Sequence, residues 1–374
     1  MKPLIYADNA ATTQMDIDAF EAMKPYLLEQ YGNASQPYSF AREPKKAIHE
    51  SREIIASCIG ALPEEIYFTS GGTESDNWAI KSIVFQSQDR RETITSAIEH
   101  HAVLRACEAI RRMNYPVDYL LPNETGTVSP ETLEQRISNK TLLVSVMYAN
   151  NELGTIQPIK DLCKVAHSNG ALFHTDAVQA VGHIQIDVND LGIDMLSASA
   201  HKFNGAKGIG FLYVRKGTPI AAYINGGNQE FGLRAGTENT AGIVSMAIAL
   251  KKNVDTIESN QKHIIGLEKM LLYKLNERGI PFTRNGGNHT LPGIINLSFE
   301  GKDGEAILHR MDLMGISIST GSACDSKNTE ISHVLQAIQL PTSLAKGTIR
   351  ISLGKSNTSE DVETIVSALN KILM

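Results

Sequence analysis

Apolar and polar positions along the chain change period repeatedly. Between residues 66 and 214, short apolar and β-branched runs (66–69, 93–97, 117–121, 142–148, 171–174, 194–197, 211–214) alternate with helical spacing (74–85, 102–113, 130–137, 159–167). The runs predict buried strands, which read as continuous apolar segments, and the spaced stretches predict helices. Such alternation predicts an α/β fold with a mainly parallel sheet flanked by helices on both faces. Before it lie an extended arm (1–14), a helix over 16–30, a polar loop, and helical spacing over 44–59. After it comes one long helical pattern over 240–277. The remainder reads as strand 293–299, helix 305–314, strand 316–320, helix 331–338 and strand 348–352. A last helix opens with a capping box, Thr358 and Asp361.

A chain of 374 residues exceeds the ~250–300 residues at which single cores stop growing. The division expected is an N-terminal arm (1–15) packing with the smaller domain, a large domain (16–257), and a smaller C-terminal α/β domain (258–374). A formal charge of −6 leaves no electrostatic footprint for nucleic acid. No apolar run approaches the ~18 residues of a membrane span. The first residues meet Asp8 too early for a signal peptide. Cys58, Cys107, Cys163 and Cys324 show no disulfide or zinc spacing. A cytoplasmic protein with reduced thiols is expected.

The chemistry concentrates where predicted strands end. Ser197-Ala198-Ser199-Ala200-His201-Lys202 follows a strand and presents one lysine beside a histidine and two serines. Lysines between apolar runs usually extend to solvent. One at a strand's carboxyl end, where α/β folds bind ligands, can lose its proton and condense with an aldehyde. Lys202 is therefore expected to hold pyridoxal 5'-phosphate (PLP). The stretch Thr69-Ser70-Gly71-Gly72-Thr73-Glu74-Ser75 runs from a strand through two glycines into a helix, where free N–H groups favour a phosphate. Plain helix capping by Thr73 or Ser75 is the alternative. Asp176, in His174-Thr175-Asp176-Ala177-Val178-Gln179, would pair with a pyridinium nitrogen, with Gln179 near the ring.

In Glu99-His100-His101, adjacent side chains point apart, so no metal site is expected; His100 suits a flat ring over a cofactor, with a capping or core role as its rival. Cys324 lies among small and polar residues, Gly321-Ser322-Ala323-Cys324-Asp325-Ser326, and is placed like a nucleophile. Cys58, Cys107 and Cys163 fall within helical patterns, as core filler does.

Taken together these stretches resemble the cysteine desulfurases of the NifS/IscS type, within the class V aminotransferase-like, fold-type I PLP enzymes. The likeness extends over nearly the whole chain. Besides the stretches above it rests on Ala7-Asp8-Asn9-Ala10-Ala11-Thr12-Thr13, Asn150-Asn151-Glu152-Leu153-Gly154 and Arg234-Ala235-Gly236-Thr237-Glu238-Asn239. The resemblance implies that Lys202 carries PLP and that Gly72, Thr73, Ser199 and His201 cradle its phosphate. Thr237 would reach that phosphate from the partner subunit of a homodimer. It further implies Asp176 and Gln179 on the ring, His100 stacked over it, Asn151 and Arg350 on the substrate, and Cys324 as the sulfur-accepting catalytic residue.

The implied reaction converts L-cysteine to L-alanine, with a persulfide on Cys324 passed to a sulfur-acceptor protein, an iron–sulfur scaffold or a tRNA-thiolation protein. Alternatives on the same scaffold are a selenocysteine or cysteine-sulfinate lyase, or another class V enzyme. A non-catalytic sulfur-relay scaffold is a third reading. Two departures stand out. The loop Gly32-Asn33-Ala34-Ser35-Gln36-Pro37-Tyr38 lacks the family's usual proline and histidine positions, and Asp325-Ser326-Lys327-Asn328 is more charged than usual.

Overall fold

The computed structural model describes residues 4–84, 90–320 and 331–374. Its central sheet has seven strands, in spatial order Ile66–Thr69, Gly210–Val214, Met195–Ser199, Leu172–Asp176, Thr141–Ser145, Glu92–Ser96 and Val117–Leu120. Every pair is parallel except the two made by Gly210–Val214, which runs against both neighbours. The link from Ser199 to Gly210 holds only a short turn of 3-10 helix, too short for the crossover a parallel partner needs.

Side chains alternate across these strands, so each feeds two cores. Leu143, Met195 and Leu212 pack with Trp78, Val103 and Ile110 from the helices Gly72–Val84 and His101–Arg112. Their sequence neighbours Val144, Leu196 and Phe211 point the other way, onto Ile55, Leu162 and Leu250 of three further helices. The sheet is thus covered on both faces, and its strand ends are left to carry chemistry.

A second sheet is antiparallel: Thr283–Asn285, Ile294–Ser298 and Thr348–Ser352. Helices Ile257–Glu277, Gly304–Leu313 and Ser359–Leu373 cover it around their own cluster, which includes Leu271, Ile295 and Ile365. The first strand, Ile5–Tyr6, pairs with Ile316–Ser317. Thr358 and Asp361 form the expected capping box. Among the described residues no helix is long and apolar enough to cross a membrane.

One expectation fails. The helical pattern over 240–277 is two helices, Thr240–Asp255 and Ile257–Glu277, broken at Thr256. The Thr256 hydroxyl donates to the Lys252 carbonyl at 2.7 Å, occupying the acceptor a continuous helix would offer the Thr256 amide. That amide turns to the Asn253 carbonyl instead. Threonine competes for its own backbone in this way wherever packing lets the chain bend. The expected helix at 331–338 is shorter, His333–Ala337. Thr283–Asn285 was not predicted, because three residues are too few to show a period.

Candidate active site

Carboxyl ends of the sheet strands, the start of helix Gly72–Val84 and the N-terminal arm enclose a cleft of about 510 Å³. Strand Ile66–Thr69 delivers Ser70-Gly71-Gly72 to one wall. Gly71 has φ +146°, and a Cβ on Gly72 would stand 2.5 Å from Val178 Cγ2, so the backbone approaches more closely than any side chain allows. Ser75, deeper in the helix, is spent on Thr69 Oγ1 (2.8 Å) and the Phe211 carbonyl. Thr73 is exposed on the cleft wall beside the helix's free N–H groups, with Ser199 and His201 on the same lining. That is a cradle for an anion.

Strand Leu172–Asp176 is the fourth of seven, so Asp176 is buried at the centre. Its Oδ1 accepts from the Val178 amide at 2.9 Å. Burial raises its pKa, opposed by His100, that amide and Lys202. Asp76, on helix Gly72–Val84, is buried next to it. Burial and the Asp176 charge push Asp76 well above the ordinary carboxyl range, and among the described residues its Oδ1 has no hydrogen-bond partner. Ligating atoms of Asp76, His100 and Asp176 lie within 4.8 Å of one another.

His100 caps helix His101–Arg112: its Nδ1 accepts from the Ala102 amide at 3.2 Å, which leaves the proton on Nε2. Burial lowers its pKa, against the pull of Asp176. The capping role and the cleft role therefore coincide. His174, the preceding inward residue of the Asp176 strand, is clamped between Ser145 and Ser197, and burial holds it neutral with a pKa of about 3.

Lys202 follows strand Met195–Ser199, and its Nζ donates to the carbonyls of Ala10 (2.5 Å) and Ala11 (3.0 Å) in the arm. Gln179 Nε2 donates to the same Ala10 carbonyl at 2.9 Å. His201 Nδ1 meets Thr12 Oγ1 at 3.1 Å, and burial with Lys202 and Lys207 nearby lowers its pKa to about 4.

Arg350, on strand Thr348–Ser352, is almost wholly buried at the far side. It donates to the Asn151 carbonyl (2.8 Å) and to Asp8 (2.7 Å). Its Nε has no partner among the described residues. Ser319 pairs with the Arg350 backbone, and His333 lines the cleft while donating to the Glu99 carbonyl. Cys324 itself lies outside the described residues.

The sequence-predicted residues Lys202, Gly72, Thr73, His100, Asp176, Gln179, Ser199, His201, Asn151 and Arg350 all line this one cleft. Thr237 does not; it is exposed elsewhere, on a segment whose Glu238 meets Ser35. The three cysteines placed in helices are buried, as expected. Three acids buried at or beside the cleft were not named as site residues, Asp76, Glu99 and Glu152. Glu99 accepts from Ser96 and the Met147 amide, and burial raises its pKa to about 8. A carboxylate inside an otherwise apolar helix face, as at Asp76, was the available signal.

PLP fits these walls. A lysine amine on the cleft wall, a backbone cradle that excludes Cβ atoms, and a buried acid pair with an unpartnered oxygen match an aldehyde, a phosphate and a cationic ring nitrogen. Fold and site together define a fold-type I PLP-dependent enzyme. The aminotransferase class-V family matches residues 5–365, and the chain belongs to it. It is 46% identical over 375 residues to the cysteine desulfurase IscS of Dictyoglomus turgidum, covering 100% of this chain and 95% of that one. The IscS of Methanosarcina thermophila is also 46% identical, covering 99% and 92%. A solved NifS-like protein superposes with a TM-score of 0.94 at 36% identity, with 99% of each chain covered. SspA, solved in complex with cysteine, gives a TM-score of 0.84 at 37% identity, covering 95% of this chain and 100% of that chain.

Proposed function

We propose that this chain is a PLP-dependent cysteine desulfurase that converts L-cysteine to L-alanine and takes the sulfur onto Cys324. The carrying observation is the single cleft in which Lys202, the Asp76–Asp176 pair and Arg350 face one another across about 510 Å³. When bound, PLP supplies an electron sink for the carbanion formed at the substrate Cα.

The chain's own residues do the rest. Asp176 would hold the ring nitrogen of the cofactor in its protonated form, and that cation would keep the buried carboxylate ionised. Asp76 stays protonated, because two buried carboxylates this close do not both ionise. Arg350 takes the substrate carboxylate through Nε and the edge it now shares with Asp8, a two-pronged geometry suited to a carboxylate. Asn151 lends its carbonyl to orient that guanidinium. Lys202 Nζ removes the Cα proton, and the Ala10 and Ala11 carbonyls keep the amine in reach. His100 Nε2 carries the proton that moves near the substrate thiol. The Cys324 thiolate then attacks the substrate sulfur: the S–S bond forms as the Cβ–S bond breaks, the electron pair left on Cβ takes a proton, and Lys202 Nζ returns the proton to Cα, which gives alanine. Cysteine and Cys324–SH thus become alanine and Cys324–S–SH.

The working unit of this reading is a homodimer in which Thr237 reaches the partner's phosphate cradle. Support comes from the exposed aromatics Tyr31, Tyr38, Phe40 and Phe231 on segments joined by the Ser35–Glu238 and Ser35–Gln229 contacts. The persulfide passes to an acceptor protein for iron–sulfur cluster assembly or tRNA thiolation, in the cytoplasm. Alanine and sulfide released in equal amounts from L-cysteine, with a reductant present, test the reaction. Absence of alanine from PLP-loaded protein refutes it.

A further inference from the structure

Strand Ile66–Thr69 is an edge of the central sheet, so amides on its outer side have no neighbouring strand to bond. Two of them find carboxylates instead. The Phe68 amide donates to Glu230 Oε2 at 2.8 Å, and the Ser70 amide, two residues on, donates to Glu74 Oε2 at 2.8 Å. An arginine forks onto each acid. Arg52 donates to both Glu230 oxygens (2.8 and 2.7 Å), and Arg234 to both Glu74 oxygens (2.8 and 3.1 Å). One unit, amide to carboxylate to guanidinium, is thus repeated at successive outward positions.

The two units differ in what lies beside them. Glu230 is buried with Arg52, whose guanidinium stacks on the Phe68 and Phe231 rings. Glu74 instead lines the cleft, in the first turn of helix Gly72–Val84. Burial would raise its pKa, but the bonds from Arg234 and Ser70 hold it below the ordinary carboxyl value, so it is ionised. The Ser70 amide is spent on Glu74 and the Gly71 amide on Thr69 Oγ1 (3.3 Å), so the amides left to receive an anion begin at Gly72 and Thr73. A carboxylate beside those amides suits the helix dipole but repels a phosphate seated on them. The Arg234 fork answers that charge.

We propose that Arg234 is a positioning residue for the cofactor phosphate: it cancels the Glu74 charge at the cradle, so that this acid can fix the Ser70 turn without repelling the phosphate. The proposal rests on the reading that the PLP phosphate sits at Gly72 and Thr73. Full-length protein freed of cofactor is titrated with PLP and, separately, with pyridoxal, which has the same aldehyde and ring but no phosphate. Arg234→Met should weaken PLP by about tenfold or more, an uncancelled like charge nearby being worth roughly one pKa unit or more, and should leave pyridoxal unchanged. Glu74→Gln keeps an oxygen for the Ser70 amide and should tighten PLP several-fold, because the Arg234 charge then faces the phosphate alone. It also keeps the test open if Arg234→Met fails to fold. An ion pair that only shapes the turn would weaken both ligands in both variants. Equal losses of PLP and pyridoxal in Arg234→Met, or PLP affinity unchanged or lowered in Glu74→Gln, overturn the proposal. Parent protein that binds PLP no more tightly than pyridoxal overturns the placement of the phosphate, and this proposal with it.

Discussion

Asp76 and Asp176 reach the same buried point from opposite directions, one from the first turns of a helix and one from the end of the central strand. Their ligating atoms, with that of His100, lie within 4.8 Å. Neither acid makes sense alone. A lone buried carboxylate would be desolvated without return, and a pair can hold one charge only if a cation answers it. The ring nitrogen of PLP is that cation in the reading given above.

The pair divides the labour, and substitution should separate the two members. Asp176→Asn removes the charge that keeps the ring protonated and should lower kcat by ~10²-fold or more. Asp76→Asn mimics the protonated acid and should change kcat by less than ~10-fold. Steady-state alanine formation in both variants checks this; equal losses contradict the division.

Glu99 gives a pH signature independent of catalysis. Its folded-state pKa is raised from 4.5 to about 8, burial being the main cause. The folded state therefore binds the proton more tightly, so this contribution is full below about 4.5 and is lost as pH rises toward 8. Its slope is at most ~1.4 kcal/mol per pH unit. Chemical denaturation of PLP-free protein between these limits should show a shallower pH dependence in Glu99→Gln than in the parent. Parallel curves contradict the assignment.

Gly72 should tolerate nothing larger. An alanine Cβ there would meet Val178 Cγ2 at 2.5 Å, and overpacking of this kind costs about 1–3 kcal/mol. Gly72→Ala should lower the thermal midpoint and weaken PLP retention, read from cofactor absorbance after dialysis. Full retention would show that the cradle is not at this turn.

Arg350 is predicted to act on substrate through geometry more than charge. Arg350→Lys keeps a cation but loses the planar fork, and loses one of its bonds to Asn151 and Asp8. The expected result is a rise in the cysteine KM of about tenfold or more, one buried charged hydrogen bond being worth roughly 1.5–3 kcal/mol. An unchanged KM removes Arg350 from the substrate.

Much of this was legible in the sequence, for identifiable reasons. The parallel sheet announced itself because its strands are buried on both faces, and Lys202, Asp176 and His100 because each ends or follows a strand. The break at Thr256 was not legible: its cause is one hydroxyl bonded to Lys252, which leaves the helical spacing on either side intact. Asp76 and Glu99 were hidden for another reason. An acid in a helix or loop reads as solvated surface until the fold shows it at zero to one per cent exposure. Thr237 was singled out only through resemblance, since nothing around it in one chain points to a phosphate.

The most direct test is a single turnover of PLP-loaded protein with isotopically sulfur-labelled L-cysteine, followed by mass spectrometry of each cysteine-containing peptide. Cys58, Cys107 and Cys163 are buried, and burial raises all three thiols, the first two to about 11 and about 12. The account predicts one labelled sulfur added at Cys324, one alanine formed per chain, and neither in Cys324→Ser. Label on another cysteine, or alanine formed undiminished by Cys324→Ser, would contradict it.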